Sequence, residues 1–396
     1  MECPPGMVGA KEDDVLLLNK SIYGLVQAAR QYHKKAVEIL RKMGFQGGDV
    51  DPCLFWKRSK LGIVFIAIYV DDNLIIGTPA AIEDTIKQML KHGLVLKVED
   101  ELKDYLSCDI RISKDRRRAW LGQPHLISNL EKSFGDQVKG LQRYKTPGTP
   151  GKNMVRNLEG PAFAKDKHSE FRSGVGMLNY LVKHSRPDIA NAVRELSKVL
   201  DSPSDASYKE MLRVIKYVLD SKEMGLRFEP TFDRNEPWDL VGFSDSDYAG
   251  DPETRRSVTG YILYIKGVPI IWKSKAQRSV TLSSSEAEWI ALSELVKDIK
   301  FVLQLLESMN IKVKLPITVR VDNIGAIFMA GNVTTRGRTK HVDTRTKFVR
   351  EYVEDGIIKI IFVRSNNNDS DIMTKNLNGD LHSKHANKLI KTKPGN

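Results

Sequence analysis

The chain has 396 residues, 41% of them hydrophobic, and its 62 basic and 50 acidic side chains leave a formal net charge of +12. This length favours two or more domains, since single hydrophobic cores stop growing at about 250–300 residues, and the positive charge is compatible with a polyanionic partner. No apolar run approaches the roughly 20 residues of a membrane-spanning helix, and no secretory signal is recognisable. Three cysteines without metal-ligand or disulfide spacing argue against structural zinc and favour a reducing compartment.

The first third of the sequence is predicted to form an α+β domain. Apolar residues recur at helical spacing in 27–43 and 80–92, which predicts two helices. Alternation in 94–112 predicts a hairpin. Helices interspersed with neighbouring strands in this way are typical of an α+β fold and not of a parallel doubly wound sheet.

A second hairpin is predicted around Tyr69-Val-Asp-Asp72, because apolar runs at 61–68 and 74–76 flank this tetrapeptide. Adjacent strand residues point to opposite faces, so at most one of Asp71 and Asp72 is expected to face the core side. Two neighbouring carboxylates at a hairpin tip are poorly tolerated without a cation, and Mg²⁺ carrying a nucleotide triphosphate is the candidate. The alternative is an ordinary polar turn.

Residues 144–235 are predicted to hold a linker and a helical connection. Pro and Gly are dense in 144–152, as is typical of a linker. Two mostly helical stretches follow, at about 169–201 and 204–222, and the apolar face of the second indicates core packing. A further break at 233–237 is the predicted boundary to the next domain.

From residue 238 onward the pattern predicts three strands, a long helix, a fourth strand, helices, a last strand and a terminal helix. The long helix covers about 285–309. A three-strand meander followed by alternating helices and strands predicts a mixed sheet with helices on both sides. The predicted strands are 240–244, 258–265, 269–273, 317–322 and 357–363.

Four carboxylates lie at the ends of these elements and are expected to converge on one edge of the sheet. Their mutual repulsion would be relieved by two divalent ions, which at about 3.5–4 Å apart activate a water and stabilise a leaving oxygen. For any one of them alone, a solvated cap or a helix-dipole partner is the alternative. The four residues are Asp245, Glu288, Asp322 and Asp371.

Several motifs, in the same order along the chain, resemble the Pol polyprotein of copia-type LTR retrotransposons. The resemblance covers the C-terminal part of a reverse transcriptase and its tethered ribonuclease H domain. The motifs are Ser21-Ile-Tyr-Gly-Leu-Val-Gln-Ala-Ala-Arg30, Asp51-Pro-Cys-Leu-Phe55, Tyr69-Val-Asp-Asp72, Tyr180-Leu-Val-Lys-His-Ser-Arg-Pro-Asp-Ile-Ala190, Gly242-Phe-Ser-Asp-Ser-Asp-Tyr-Ala-Gly-Asp251, Ser283-Ser-Ser-Glu-Ala-Glu288, Val321-Asp-Asn323 and Thr339-Lys-His-Val-Asp343.

The resemblance implies a fold and a segment for each part of the chain. Residues 1–143 are expected to be a partial reverse-transcriptase palm and thumb, and 144–235 the linker and helical connection. Residues 236–378 are expected to be a ribonuclease H-like mixed α/β domain, and 379–396 a tail.

The resemblance also implies an activity, namely hydrolysis of the RNA strand of RNA–DNA hybrids with two Mg²⁺ or Mn²⁺ ions held by the four carboxylates. Asp71 and Asp72 would be metal ligands of the palm. Glu286 competes with Glu288, and the two point about 200° apart on a helix, so only one enters the site. The family motif selects Glu288, which precedes Trp289-Ile-Ala-Leu292.

A basic stretch near the last carboxylate is the predicted nucleic-acid contact. In the functional interpretation it clamps phosphates of a hybrid, which makes binding salt-dependent and little dependent on base sequence. Otherwise it is a solvated face. Expected partners are RNA–DNA hybrid, RNA, DNA and remaining parts of a Pol polyprotein, with no membrane. The contact residues are Arg336, Arg338, Lys340, His341 and Arg345, and the motif gives His341 a role in product release or proton transfer.

DNA polymerisation is not expected of this chain alone. A palm uses a third aspartate, which in the family lies upstream of the element that Cys3-Pro-Pro-Gly6 resembles, and no later Asp has a compatible strand context. The alternative function is a non-catalytic transposon remnant that binds nucleic acid. A transposase or exonuclease on the same fold does not account for Tyr69-Val-Asp-Asp72. By resemblance, the protein is expected inside the cell, in a cytoplasmic particle or the nucleus.

Overall fold

The structure is a computed structural model with its side chains. It describes the whole chain except for short segments, and the side chains of 340–343 are also left out. In the part of the chain that it describes, no helix is long and apolar enough to cross a membrane. The residues outside the description are 1, 5, 10, 12, 23, 71, 100, 101, 161, 162, 232–236, 326, 328–339, 395 and 396.

Two compact units divide the chain, and their boundaries differ from the segments expected from sequence. One unit is Met1–Glu99 with Gln304–Ile311, and the other is Asp100–Leu303 with Lys312–Asn396. The sequence boundaries at 143, 235 and 378 follow Pro- and Gly-rich breaks, whereas the units follow packing. The helical connection therefore belongs to the same compact unit as most of the ribonuclease H-like region.

The first unit is built on a four-stranded antiparallel sheet in the order β1-β2-β3-β4. Along β3 the residues Val64, Ile66 and Ile68 are buried and their neighbours are less so, which gives the sheet one apolar face. The buried face packs with Ile39 and Met89 of two helices, and both predicted helices are present within about two residues. The elements are α1 (Ala28–Lys42), β1 (Gln46–Gly47), β2 (Leu54–Ser59), β3 (Gly62–Tyr69), β4 (Asp72–Gly77) and α2 (Pro79–Lys91).

A second sheet, in the second unit, has the order β14-β8-β7-β6-β5 and joins segments far apart in sequence. The predicted hairpin of 94–112 is confined to β5 and β6, and the described residues 94–99 hold no strand. The last segment, expected as a tail, contains a helix and the edge strand β14. The strands are β5 (Asp104–Tyr105), β6 (Cys108–Ile112), β7 (Ala119–Gly122), β8 (Met224–Phe228) and β14 (Ile390–Thr392).

Four helices pack around a separate apolar core in the same unit. The predicted helical stretches are present, but the first is divided by a short 3-10 helix, Pro187–Ile189. Arg186 precedes this helix and forms a fully buried ion pair with Asp188, at 2.9 Å from Nε to Oδ1. The core includes Phe134, Phe171 and Met211. The helices are α3 (Pro124–Val138), α4 (Lys165–His184), α5 (Ala190–Ser197) and α6 (Asp205–Asp220).

The third sheet has the order β11-β10-β9-β12-β13. Strands β11, β10 and β9 form an antiparallel meander, and β12 and β13 continue the sheet in parallel with β9. This strand order confirms the ribonuclease H-like layout and the α+β class expected from sequence. The strands are β9 (Leu240–Asp247), β10 (Val258–Ile265), β11 (Val268–Ala276), β12 (Ile317–Val321) and β13 (Ile358–Phe362).

Helices cover both faces of this sheet, as expected. Two consecutive residues of β9 face helices on opposite sides of the sheet. A Cβ at Gly242 would lie 2.9 Å from Leu295 of the long helix, and Phe243 packs in a cluster with Met373 on the other face. Alternation along one strand thus places a helix on each side. The helices are α7 (Ser284–Ser308), α8 (Lys340–Glu354), α9 (Asp371–Thr374) and α10 (Gly379–Leu389).

Candidate metal centre

Three carboxylates meet at one edge of the third sheet. Asp245 lies near the end of β9, and Asp322 directly follows β12, its parallel neighbour. The register pairs Ser244 with Val321, so the next residue of each strand is a carboxylate at the same edge. Glu288 reaches them from the first turns of α7. One ligand oxygen of each of the three residues lies within 4.8 Å of the others.

The environment of Glu288 leaves one carboxylate oxygen without a protein partner. Ser246 donates its backbone N–H at 3.0 Å and its hydroxyl at 2.9 Å to Oε1. Glu288 Oε2 is buried and accepts no hydrogen bond from any residue that the structure describes. A buried, unpartnered carboxylate oxygen is costly, and a cation beside it would remove that cost.

Burial and neighbouring carboxylates hold the pKa values of Glu288 and Asp322 above their usual range. Burial, then Asp245 and then Asp322 together raise the pKa of Glu288 to about 9, against the lowering effect of the hydrogen bonds from Ser246. Burial and then Asp245 also raise the pKa of Asp322. Divalent magnesium and manganese prefer oxygen ligands of this kind. The donor set therefore fits a divalent cation.

Asp371, the fourth predicted carboxylate, begins α9 and lies beside Asp245, outside the group of three. Lys375 pairs with both of these carboxylates. Its Nζ is 3.1 Å from Asp371 Oδ1 and 3.4 Å from Asp245 Oδ2. Thr374 donates its hydroxyl to Asp245 Oδ2. Burial and then Asp245 raise the pKa of Asp371 to about 7, against the effect of Lys375.

The remaining acidic residues near the site lie outside the group of three. Glu286 is half-buried and accepts the N–H of Leu282 at 2.8 Å, at the start of α7. Asp251 accepts the N–H of Glu253 at 3.0 Å and so orders its own loop. Asp247 ends β9, and burial raises its pKa. Helical geometry thus brings Glu288, and not Glu286, to the other carboxylates.

Sequence reasoning missed three residues that hold the carboxylates: Ser246, Thr374 and Lys375. Ser246 follows Asp245 directly and faces the side of the sheet on which α7 lies. Lys375 is four residues after Asp371, the spacing at which a helical carboxylate and a lysine form a pair. That spacing is the signal that could have identified the lysine.

A basic groove of about 210 Å³ lies between the meander, α7 and α8. Ile290 lines it, and Ile290 is two positions after Glu288, so the two side chains leave α7 in directions about 200° apart. Glu294 is its acidic member and pairs with Lys297 at 2.7 Å. The basic side chains that line the groove are Lys273, Lys275, Arg278, Lys297 and Arg345.

Of the basic residues predicted from sequence, Arg345 lies in this groove. Arg336 and Arg338 lie outside the described residues, and so do the side chains of Lys340 and His341. The signal that sequence reasoning missed is on β11, where Lys273 and Lys275 alternate and therefore share a face.

Sequence comparison identifies relatives of the whole chain. Residues 1–135 match the family described as reverse transcriptase (RNA-dependent DNA polymerase). A Pol polyprotein from transposon TNT 1-94 of Nicotiana tabacum is 31% identical over 381 residues, or 95% of this chain. One from transposon RE2 of Arabidopsis thaliana is 29% identical over 100% of it. These matches, at about 30% identity over nearly the whole chain, confirm the resemblance to Pol polyproteins of plant copia-type transposons.

The chain spans about a quarter of the length of these relatives, namely 28% of the tobacco polyprotein and 26% of the Arabidopsis one. Two solved structures also match. One is LC11-RNase H1 in complex with RNA/DNA hybrid, at 12% identity, 34% of this chain, 93% of that chain and a TM-score of 0.27. The other is a foamy viral protease-reverse transcriptase in complex with dsDNA, at 14% identity, 87% of this chain, 60% of that chain and a TM-score of 0.39. The fold assignment rests on the strand order and not on these scores.

The hairpin that motivates the polymerase comparison is present in the structure. Strands β3 and β4 pair Tyr69 with Asp72, and Asp72 is exposed at the start of β4. Val70 has a φ of 52°, a conformation that β-branched residues rarely adopt. Asp71 lies outside the described residues. Among those that are described, the acidic group able to hold a metal ion is the one at Asp245.

Proposed function

We propose that the chain hydrolyses the RNA strand of RNA–DNA hybrids in a reaction that depends on Mg²⁺ or Mn²⁺. The observation that carries this proposal is the group of Asp245, Glu288 and Asp322 oxygens within 4.8 Å, together with the unpartnered Glu288 Oε2. Burying three mutually repelling carboxylates lowers stability unless a cation joins them. Their arrangement at the end of parallel strands therefore favours a metal-dependent function.

The protein's own residues would hold and orient this centre. Asp245, Glu288, Asp322 and Asp371 are the proposed ligands. Two divalent ions, when bound, activate a water and stabilise the leaving oxygen of an in-line phosphodiester displacement. Ser246 fixes the orientation of Glu288 through two hydrogen bonds to one oxygen, which leaves the other oxygen for coordination. These contacts pre-organise the centre before substrate binds.

The basic groove supports a nucleic-acid substrate. Its five positive side chains have one acidic neighbour, Glu294, and Lys and Arg contacts to phosphate supply most of the non-specific affinity for a duplex. The groove lies on the side of α7 opposite Glu288. A hybrid carries phosphates on two strands, so we propose that the groove binds backbone phosphates while the carboxylates act on the RNA strand.

The deciding experiment is cleavage of an end-labelled RNA–DNA hybrid by the purified chain, with Mg²⁺ and with EDTA. We expect loss of the RNA strand in Mg²⁺ alone, and a rate lower by at least about 100-fold in Glu288→Gln and in Asp322→Asn. Glu286→Gln is the matched control, because it removes the same charge two residues away, from a half-buried side chain outside the group of three.

Cleavage that persists in EDTA, or that Glu288→Gln leaves unchanged, would contradict the proposal. Hybrid binding without cleavage by the folded wild-type chain would instead identify a non-catalytic nucleic-acid-binding remnant. The prediction that the chain alone does not extend a primer is tested in the same buffer with deoxynucleotides, and metal-dependent synthesis would overturn it.

A further inference from the structure

A lysine side chain pairs with two carboxylates of the proposed metal centre at once. The Lys375 ammonium is 3.1 Å from Asp371 Oδ1 and 3.4 Å from Asp245 Oδ2, and its side chain is 40% exposed. Both carboxylates are nearly fully buried. Buried carboxylates attract a cation strongly, and here the chain supplies one.

Lys375 divides the four proposed ligands into two sets that share Asp245. One set is Asp245, Glu288 and Asp322, whose ligand oxygens lie within 4.8 Å, and Lys375 pairs with Asp245 of this set at 3.4 Å. The other is Asp245 and Asp371, and the ammonium pairs with both of them. A lysine ammonium is a compact single charge with three donors on a flexible stem. It neutralises part of this pair and can move away along that stem.

We propose that Lys375 acts as a built-in cation that sets the order of metal binding. The first divalent ion binds at Asp245, Glu288 and Asp322. An ion that bridges Asp245 and Asp371 binds second, because it must displace the ammonium. This inference rests on the proposed function and adds that Lys375 is a positioning residue that weakens the second metal site of the free protein.

The test is calorimetric titration of the full chain with Mg²⁺ in the absence of nucleic acid. The wild type is expected to show one tighter site and one weaker site. In Lys375→Met the weaker site should bind about tenfold more tightly or better, because no ammonium competes for the carboxylates. Lys375→Arg retains the charge and should titrate as the wild type does.

The matched control is Lys388→Met. Lys388 lies 2.6 Å from Asp369, another buried carboxylate, and is 46% exposed, so its removal deletes a similar ion pair outside the proposed ligands. We expect its Mg²⁺ titration to equal that of the wild type. A Lys375→Met titration that also equals the wild type would overturn the inference, and the function would stand. No Mg²⁺ binding in any variant would refute the proposed function itself.

Thermal unfolding provides a second readout if Lys375→Met is too unstable to titrate at high concentration. Removing the ammonium leaves Asp245 and Asp371 without their counter-charge, so Mg²⁺ should raise the unfolding temperature more in Lys375→Met or Lys375→Gln than in the wild type. Equal increments in all three proteins would contradict the inference.

Discussion

Replacing Glu288 by glutamine should stabilise the metal-free protein while abolishing the proposed activity. In the folded chain burial, followed by Asp245 and Asp322, raises the pKa of Glu288 from 4.5 to about 9. The folded state therefore retains a proton that the unfolded state releases. The contribution of the Glu288 carboxyl to stability is fully present below pH 4.5 and is lost as the pH rises through 9. Glutamine has the same shape and no charge to bury.

The magnitude follows from the shift. Each pKa unit corresponds to about 1.4 kcal/mol, and pH 8 lies about 3.5 units above the unfolded pKa of 4.5. The Glu288→Gln protein should therefore gain on the order of 5 kcal/mol of unfolding free energy at pH 8, in the absence of divalent ions. At pH 5 Glu288 is protonated in the folded protein, and the two proteins should differ little.

Denaturant unfolding in EDTA at pH 5 and pH 8 measures this difference. Glu286→Gln, at a half-buried position outside the group of three, should match the wild type at both pH values. With saturating Mg²⁺ the order should reverse, because the ion stabilises the wild type and lacks a ligand in Glu288→Gln. If Glu288→Gln is no more stable than the wild type at pH 8 in EDTA, the assignment of a buried, repelled carboxylate is wrong.

Three further predictions concern substrate binding, helix packing and the buried ion pair. The double variant Lys275→Gln, Arg345→Gln should raise KM for a hybrid with little change in kcat, and the slope of log K against log salt concentration should fall in magnitude by about 2. Lys139→Gln, at an exposed position, should change neither quantity. An unchanged slope in the double variant would show that the groove does not bind phosphates. Gly260→Val should lower the unfolding free energy measured with denaturant by about 1–3 kcal/mol, because a Cβ at this position would lie 2.9 Å from Met373 Cβ. Gly267→Ala is the control: its Cβ would meet nothing within 4 Å, but its φ is +78°, so it measures backbone strain without crowding. Arg186→Met should lower the unfolding free energy by about 3–5 kcal/mol, since it leaves Asp188 buried without its ion-pair partner. A change near zero would show that water or a local movement replaces the lost partner of Asp188.

The ribonuclease H-like sheet could be predicted from sequence because each of its elements carries a local signal. Strand β10 is mostly apolar and almost wholly buried, and the predicted and observed bounds are the same, 258–265. Asp245 and Asp322 follow from their places near strand ends, and helical geometry allows only one of Glu286 and Glu288 to enter the site. The choice of Glu288 came from the resemblance to the family motif.

The second sheet could not be predicted, because its strands are short and their partners are distant. Trp120 pairs with Arg227, and Leu226 pairs with Ile390, so no local pattern brings them together. Lys375 was missed for a related reason. Its role depends on Asp245, which is 130 positions away in sequence, and a lysine after a short helix is ordinarily a solvated side chain.

The placement of α10 and β14 bears on how the carboxylate-bearing region can be excised or exchanged between proteins. Leu389 and Ile390 share an apolar cluster with Phe243, Ile262 and Tyr264 of the ribonuclease H-like sheet. A fragment cut at residues 236 and 378 would expose that cluster and lack both β8 and β14, which are neighbours in the second sheet. A fragment that folds cooperatively therefore has to include β8 and extend through Thr392. A chain recombined at residue 378 would keep all four carboxylates, but its exposed apolar cluster and unpaired strand would favour aggregation.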